Sequence, residues 1–163
     1  RAIEATGDSK PGPETKAFGM HAFGAVFVEA HVDLELGIVR VPRVVGAYGV
    51  GRVINAKTAR SQLVGGIVWG ISMALMEESQ LDPRTGRIVN ANLAEYHVPV
   101  NADIGEIDVL FIPEVDEHVN PIGAKGLGEI SMTGVAAAVA NAVFHATGRR
   151  VRELPVTLDK LMA

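Results

Sequence analysis

Residues 55–76 read NAKTARSQLVGGIVWGISMALM, and this stretch predicts a long, apolar helix. Apolar residues recur along it at helical spacing, and Asn55 is a favourable N-cap residue. The stretch also contains three glycines, each of which lowers helix propensity by roughly 1 kcal/mol relative to alanine. We therefore expect a helix from about Ala56 to Met76 that is buried on most sides, with close packing offsetting the cost of its glycines.

Upstream of this helix, the sequence predicts a β-hairpin. Ala22–Val32 and Ile38–Gly46 are rich in β-branched and apolar residues, which favours strands. The turn between them, Asp33–Gly37, ends on a glycine suited to a left-handed conformation. The residues before the hairpin are rich in Gly, Pro, Ser, Thr and charge, which predicts a linker or arm over residues 1–19 and a domain over 20–163.

Downstream of the helix, the sequence predicts further strands and a second buried helix. The expected elements are strands at Glu77–Leu81, Arg87–Asn90 and Ile107–Pro113, a turn at Asp82–Gly86, a helix at Val135–Ala146, and a short turn within Leu154–Met162. Ser131 or Thr133 is expected to cap the second helix and Gly148 to end it. The order predicts an α+β fold with a mainly antiparallel sheet and two buried glycine-containing helices.

Composition limits the classes of function. The formal net charge of the 163 residues is -4, which argues against nucleic acid as a partner. No cysteine is present, so this chain can ligate no iron–sulfur cluster. The longest apolar run, Val64 to Met76, is too short to span a bilayer, and no membrane partner is expected. A cytoplasmic location is favoured, with a periplasmic location through a partner's signal as the alternative.

The segment GAKGLGE, residues 123–129, is the most informative motif. Its three glycines allow a backbone to pass close to a ligand, and a predicted helix follows within a few residues. Glu129 suits a general base beside a cofactor loop. The alternative is that the segment is a tight connection from a strand to a helix, in which Glu129 caps the start of that helix. On the motif alone, both interpretations stay open.

Gln62 lies just ahead of the glycine pair in the apolar helix. Its amide offers two donors and an acceptor, which suits the polar edge of a heterocyclic cofactor. An ordinary polar residue on an exposed first turn is the alternative. None of the five histidines has metal-ligand spacing, so we predict no metal ligand.

Four segments in order carry a resemblance that covers the chain from about Met20. They are SQLVGGIVWG (residues 61–70), DPRTGRIVNANLAEYHVP (82–99), NPIGAKGLGE (120–129) and GVAAAVANAV (134–143). With these segments, the chain resembles the C-terminal region of the molybdenum-cofactor-binding subunit of bacterial aldehyde oxidases, in the xanthine dehydrogenase family.

The resemblance implies a molybdenum hydroxylase that oxidises aldehydes or N-heterocycles with water as the oxygen source. It implies that Glu129 is the general base and that the cofactor is molybdopterin cytosine dinucleotide. It further implies that the cofactor is contacted by a glutamine and by the loop before the glutamate, here Gln62, Lys125, Gly126, Leu127 and Gly128.

Other loops that such enzymes use to build the cofactor site are absent from this sequence. We therefore expect the chain to act beside an upstream portion of the molybdenum subunit, or to be a fragment of a longer protein. An iron–sulfur subunit, and in some assemblies an FAD subunit, would complete electron transfer from the small-molecule substrate. The alternatives are a non-catalytic scaffold fragment of such a complex and a free-standing module that binds a small molecule at residues 123–129.

Overall fold

The predicted β-hairpin forms most of the main sheet in the computed structural model, which describes residues 2–8, 10 and 12–162. Strand β1 (Phe23–Asp33) pairs antiparallel with β2 (Ile38–Gly49). Gly37, in the turn between them, has a φ of +62°, the left-handed conformation predicted for it. Both strands end one to three residues beyond their predicted limits.

Helix α2 spans Ala56–Leu75 and begins where the sequence predicts. The side chain of Asn55 accepts hydrogen bonds from the amides of Lys57 and Thr58, so the predicted N-cap is confirmed. The expectation of burial on most sides is wrong, because only one face packs against the described residues and Trp69 is 44% exposed. The buried face consists of Ala59, Leu63, Gly66, Ile67, Gly70, Ile71, Ser72 and Ala74.

The third strand of the main sheet, β5 (Glu106–Phe111), pairs parallel with β2. Helix α2 lies in the connection between these strands, as parallel neighbours require a long crossover. The parallel pairing was not predicted. It has one consequence for the site, because β2 and β5 end at the same edge of the sheet.

The small hairpin that follows α2 is shorter than predicted. Strands β3 (Leu81–Asp82) and β4 (Arg87–Ile88) flank the predicted turn. Beyond them, the Val89 amide donates to the Gln80 carbonyl at 2.9 Å. The Asn90 side chain extends the connection, since its Oδ1 accepts from the Gln80 amide at 2.9 Å and its Nδ2 donates to the Glu78 carbonyl at 2.7 Å.

Helix α3 (Val135–Thr147) ends at Gly148, whose φ is +73° as expected of a C-terminal cap. The predicted N-cap at Ser131 or Thr133 is wrong. Gly134 occupies the N-cap position without a side-chain hydrogen bond, while the Thr133 hydroxyl donates to the Ile130 carbonyl at 2.9 Å. The helix itself contains no glycine.

Three short elements complete the described chain: α1 (Glu14–Ala17), a 3₁₀ turn (Asn101–Asp103) and α4 (Leu158–Met162). The last of these is the short turn predicted in the tail. Helix α1 lies in the predicted arm, of which residues 1, 9 and 11 lie outside the described residues.

Helices α2 and α3 form the core with the side of the sheet that carries Val44 and Tyr48. The opposite sheet face exposes Phe23, Phe27 and Leu110, which are 57%, 65% and 53% exposed. The arrangement confirms an α+β fold with mainly antiparallel pairing. Across residues 2–8, 10 and 12–162, no helix is long and apolar enough to cross a membrane.

Candidate functional site

Residues 120–125, here called the loop root, attach the glycine-rich motif to the chain that follows β2. The Arg52 amide donates to the Gly123 carbonyl at 2.7 Å, and the Lys125 amide donates to the Val50 carbonyl at 3.0 Å. Between these two bonds, Gly51 has a φ of +66°, and a methyl group on it would lie 2.2 Å from the Gly123 oxygen. The root therefore contacts the strand end too closely for any side chain at Gly51.

The Lys125 side chain makes the strongest polar contacts of the root. Its ammonium group pairs with Glu114 and Asp116, with a distance of 3.0 Å to the Asp116 oxygen. It also donates to the His21 carbonyl at 3.1 Å. The lysine side chain is only 6% exposed. Glu114 follows the end of β5 and also accepts a hydrogen bond from the Gly51 amide, so the cluster contacts the segments that follow two parallel strands.

The charges of this cluster stabilise one another. The hydrogen bond from Lys125 lowers the pKa of the Glu114 and Asp116 carboxyls below their ordinary values. The hydrogen bond to Glu114 in turn raises the pKa of Lys125. All three groups are therefore charged at neutral pH.

Residues 126–131, here called the open segment, differ from the root in having free backbone donors. None of the amides from Gly126 to Ser131 donates a hydrogen bond to an acceptor in the described part of the chain. Gly126, Gly128 and Glu129 are exposed. A methyl group on Gly126 would meet no atom within 4 Å. At these three exposed residues, the segment presents polar backbone at the surface, with unfilled space beside Gly126.

Two glycines of α2 pack against the end of the open segment and against the start of α3. A methyl group on Gly66 would lie 2.1 Å from the Ser131 hydroxyl oxygen, and one on Gly70 would lie 2.4 Å from the Val135 Cβ. Close helix–chain packing at these positions therefore explains two of the three glycines that the sequence places in α2.

The structure brings Gln62 next to the open segment. A methyl group built on Gly128 would lie 3.9 Å from the Gln62 Nε2 atom. The side chain of Glu129 makes no hydrogen bond to a described residue, and α3 begins six residues later, so Glu129 does not cap that helix. Gln62, Gly126, Gly128 and Glu129 share one exposed surface.

Two of the predicted cofactor contacts have side chains that lie elsewhere. Leu127 packs against the hydrophobic core. Lys125 pairs with its carboxylates, as described above.

Glu114 and Asp116 are the residues of this region that sequence reasoning missed. The only signal was an acidic stretch, PEVDE at residues 113–117, ahead of a motif with one lysine. Across residues 2–8, 10 and 12–162, no group of three or more His, Asp or Glu residues could hold a metal ion.

Comparison with known proteins identifies the family of the chain. The family model described as "Molybdopterin cofactor-binding domain" matches residues 2–105. The chain belongs to the molybdopterin cofactor-binding domain family. The matched range includes Gln62 but ends before the glycine-rich motif.

More particular relatives are molybdenum-binding subunits of bacterial oxidoreductases. The chain is 46% identical, over 93% of its length, to the aldehyde oxidoreductase molybdenum-binding subunit PaoC of Escherichia coli K12. It is 37% identical, over 86% of its length, to the putative xanthine dehydrogenase molybdenum-binding subunit XdhA of the same strain. These matches cover 21% and 18% of the two relatives, so the chain spans about a fifth of their length.

Solved structures share the fold. The aldehyde oxidoreductase from Desulfovibrio gigas matches with a TM-score of 0.75 and 28% identity, over 86% of this chain and 15% of that one. The Cu,Mo-CO dehydrogenase matches with a TM-score of 0.78 at 24% identity, over 86% of this chain and 18% of that one.

The donor set of the site fits a molybdopterin group. Heterocyclic and anionic groups accept hydrogen bonds from donors of the kind found here, exposed backbone amides and the Gln62 carboxamide. Gly126 and Gly128 leave space that a side chain would fill. The exposed Glu129 carboxylate adds a proton acceptor beside these donors.

Proposed function

We propose that the chain is the part of a molybdenum hydroxylase that carries the catalytic base, Glu129, and one wall of the molybdopterin site. The observation that carries this proposal is the open segment, where the exposed backbone of Gly126, Gly128 and Glu129 lies beside Gln62, and where the Glu129 carboxylate has no hydrogen-bond partner among the described residues. Residues 20–163 would form this portion of the cofactor-binding domain and residues 1–19 an arm.

The role of Glu129 follows from its surroundings. Its carboxylate makes no hydrogen bond within the described chain, so its oxygens are available to accept a proton from water bound in the site. When bound, the molybdenum group supplies Lewis acidity and a two-electron acceptor for hydroxylation of an aldehyde or N-heterocycle.

The remaining residues bind and orient the cofactor. Gln62 supplies a carboxamide near Gly128, while Gly126 and Gly128 allow the backbone to approach the group closely. The Leu127 side chain packs against the hydrophobic core, and this contact fixes the backbone between these two glycines. The expected form of the cofactor is molybdopterin cytosine dinucleotide.

Partners are supported by the apolar surface of the chain. Phe23, Phe27 and Leu110 lie on a sheet face that no described residue covers, and Trp69 is exposed on α2. Exposed apolar side chains of this kind are typical of faces covered by another segment or chain. We propose an upstream portion of the molybdenum subunit as that cover, with an iron–sulfur subunit and an FAD subunit completing a cytoplasmic complex.

Replacement of Glu129 tests the catalytic role. In the assembly with the remaining molybdenum-subunit segments, Glu129→Gln should lower aldehyde turnover per bound molybdenum at least about 100-fold, because a general base contributes that much or more. Molybdenum content should not change, since glutamine preserves the shape of the side chain. Glu153→Gln, at an exposed position outside the site, is the matched control.

Unchanged turnover of Glu129→Gln at full molybdenum content would remove the catalytic assignment. The scaffold alternative predicts that outcome for every variant of the open segment. The free-standing alternative predicts that the chain alone binds a phosphorylated small molecule, which calorimetric titration with nucleotides would detect.

A further inference from the structure

We propose that Lys125 is a positioning residue, which fixes the loop root through Glu114 and Asp116 and makes no side-chain contact with the cofactor. This differs from the cofactor contact that the resemblance implies for Lys125. An effect of Lys125 on catalysis rests on the proposed function. The contacts of Lys125 with Glu114 and Asp116 do not depend on that proposal.

The hydrogen-bond count of the ammonium group supports this role. An ammonium group has three N–H donors. The three acceptors within reach of Lys125 are the carboxylates of Glu114 and Asp116 and the carbonyl of His21. The contacts to Glu114 and His21 are hydrogen bonds and that to Asp116 is an ion pair, so three described acceptors surround an ammonium group whose side chain is only 6% exposed.

Each carboxylate that pairs with Lys125 also binds backbone amides. The second oxygen of Glu114 accepts from the Gly51 amide at 2.8 Å. The second oxygen of Asp116 accepts from the amides of His118 and Val119 at 2.9 and 3.0 Å. One ammonium group therefore connects the chain after β2, the chain after β5 and the loop root.

The charge balance makes the role testable. The side chains of Glu114 and Asp116 are 20% and 14% exposed, and Lys125 is the cation that both share. Without it, two carboxylates of like charge remain side by side in a poorly solvated place. Neutral amides at both positions would keep the oxygens that accept from the backbone while removing this repulsion.

Three variants, made in the assembly with the remaining molybdenum-subunit segments, distinguish positioning from direct contact. These are Lys125→Met, Glu114→Gln/Asp116→Asn, and the neutral combination of all three changes. Amide hydrogen exchange, measured without cofactor, reports the root through peptides covering residues 50–53 and 118–125. Molybdenum content and turnover per bound molybdenum report the site.

We expect Lys125→Met to speed exchange in both peptides about tenfold or more, because the protected amides lose a shared anchor. The neutral combination should restore exchange to within about threefold of the unchanged chain, and it should restore turnover per molybdenum as well. Rescue without the lysine is the distinctive result, since a residue that contacts the cofactor cannot be replaced by changes at its partners.

Two outcomes would overturn the positioning role. One is unchanged exchange in Lys125→Met. The other is restored exchange in the neutral combination while molybdenum content or turnover stays as low as in Lys125→Met, which assigns the lysine a direct contact. If exchange and turnover follow the expected order but Glu129→Gln leaves turnover unchanged, the catalytic proposal fails and the positioning role stands.

Discussion

The glycines that flank the open segment and the glycines within it have very different surroundings. A methyl group on Gly51 would lie 2.2 Å from the Gly123 oxygen, and one on Gly70 would lie 2.4 Å from the Val135 Cβ. On Gly126, a methyl group would meet nothing within 4 Å. The flanking glycines are therefore required by packing, whereas Gly126 is not, and under the proposed function the cofactor occupies the space beside it.

The largest loss of stability is expected for Gly51→Ala. Its φ of +66° and the nearby carbonyl should together lower the free energy of unfolding by roughly 3 kcal/mol. Gly86 has nearly the same φ, +67°, with nothing within 4 Å, so Gly86→Ala should lower it by only about 1 kcal/mol. Urea denaturation measures both free energies of unfolding. Equal decreases in the two variants would show that close contact with the loop root does not constrain Gly51.

A smaller loss, about 2 kcal/mol, is expected for Gly70→Ala, because the β carbon of Val135 cannot move aside without its backbone. Gly65 lies in the same helix with nothing within 4 Å, and Gly65→Ala should instead raise the free energy of unfolding by about 0.5–1 kcal/mol. Opposite signs in denaturation experiments would confirm that α2 packs through one glycine and not the other. Stabilisation by both substitutions would contradict it.

The smallest change in stability, within about 0.5 kcal/mol, is expected for Gly126→Ala, since the added methyl group contacts nothing in the chain. Under the proposed function, the same methyl group occupies cofactor space, so molybdenum and pterin content of the assembly should fall. Gly86→Ala should show the reverse pattern, with lower stability and full cofactor content. Full loading of Gly126→Ala would separate this part of the loop from the cofactor.

Much of the fold could be predicted because its signals are local. Gly37 and the β-branched residues around it define the hairpin, and Asn55 defines the start of α2. The parallel pairing of β5 was missed, because strand order depends on contacts far apart in sequence. The exposed face of α2 was also missed, since its sequence is apolar on several sides and resembles that of a fully buried helix.

The site could be predicted only in part. Glu129 and Gln62 were named as candidates, and the structure places both at the surface of the open segment. Their assigned roles stay predictions. The partners of Lys125 could not be found, because a sequence with 19 acidic residues does not reveal which two meet one buried lysine.

The contacts that follow the parallel strands β2 and β5 also bear on when the site forms during folding. The Gly51–Glu114 hydrogen bond joins residues 63 positions apart, and the Lys125–His21 bond joins residues 104 positions apart. Closing such long loops is entropically costly and slow, so these bonds form only after the sheet and α2 have docked. Under the proposed function, the cofactor site would therefore form late in folding, because a partly folded chain would lack the contacts that orient the glycine-rich residues.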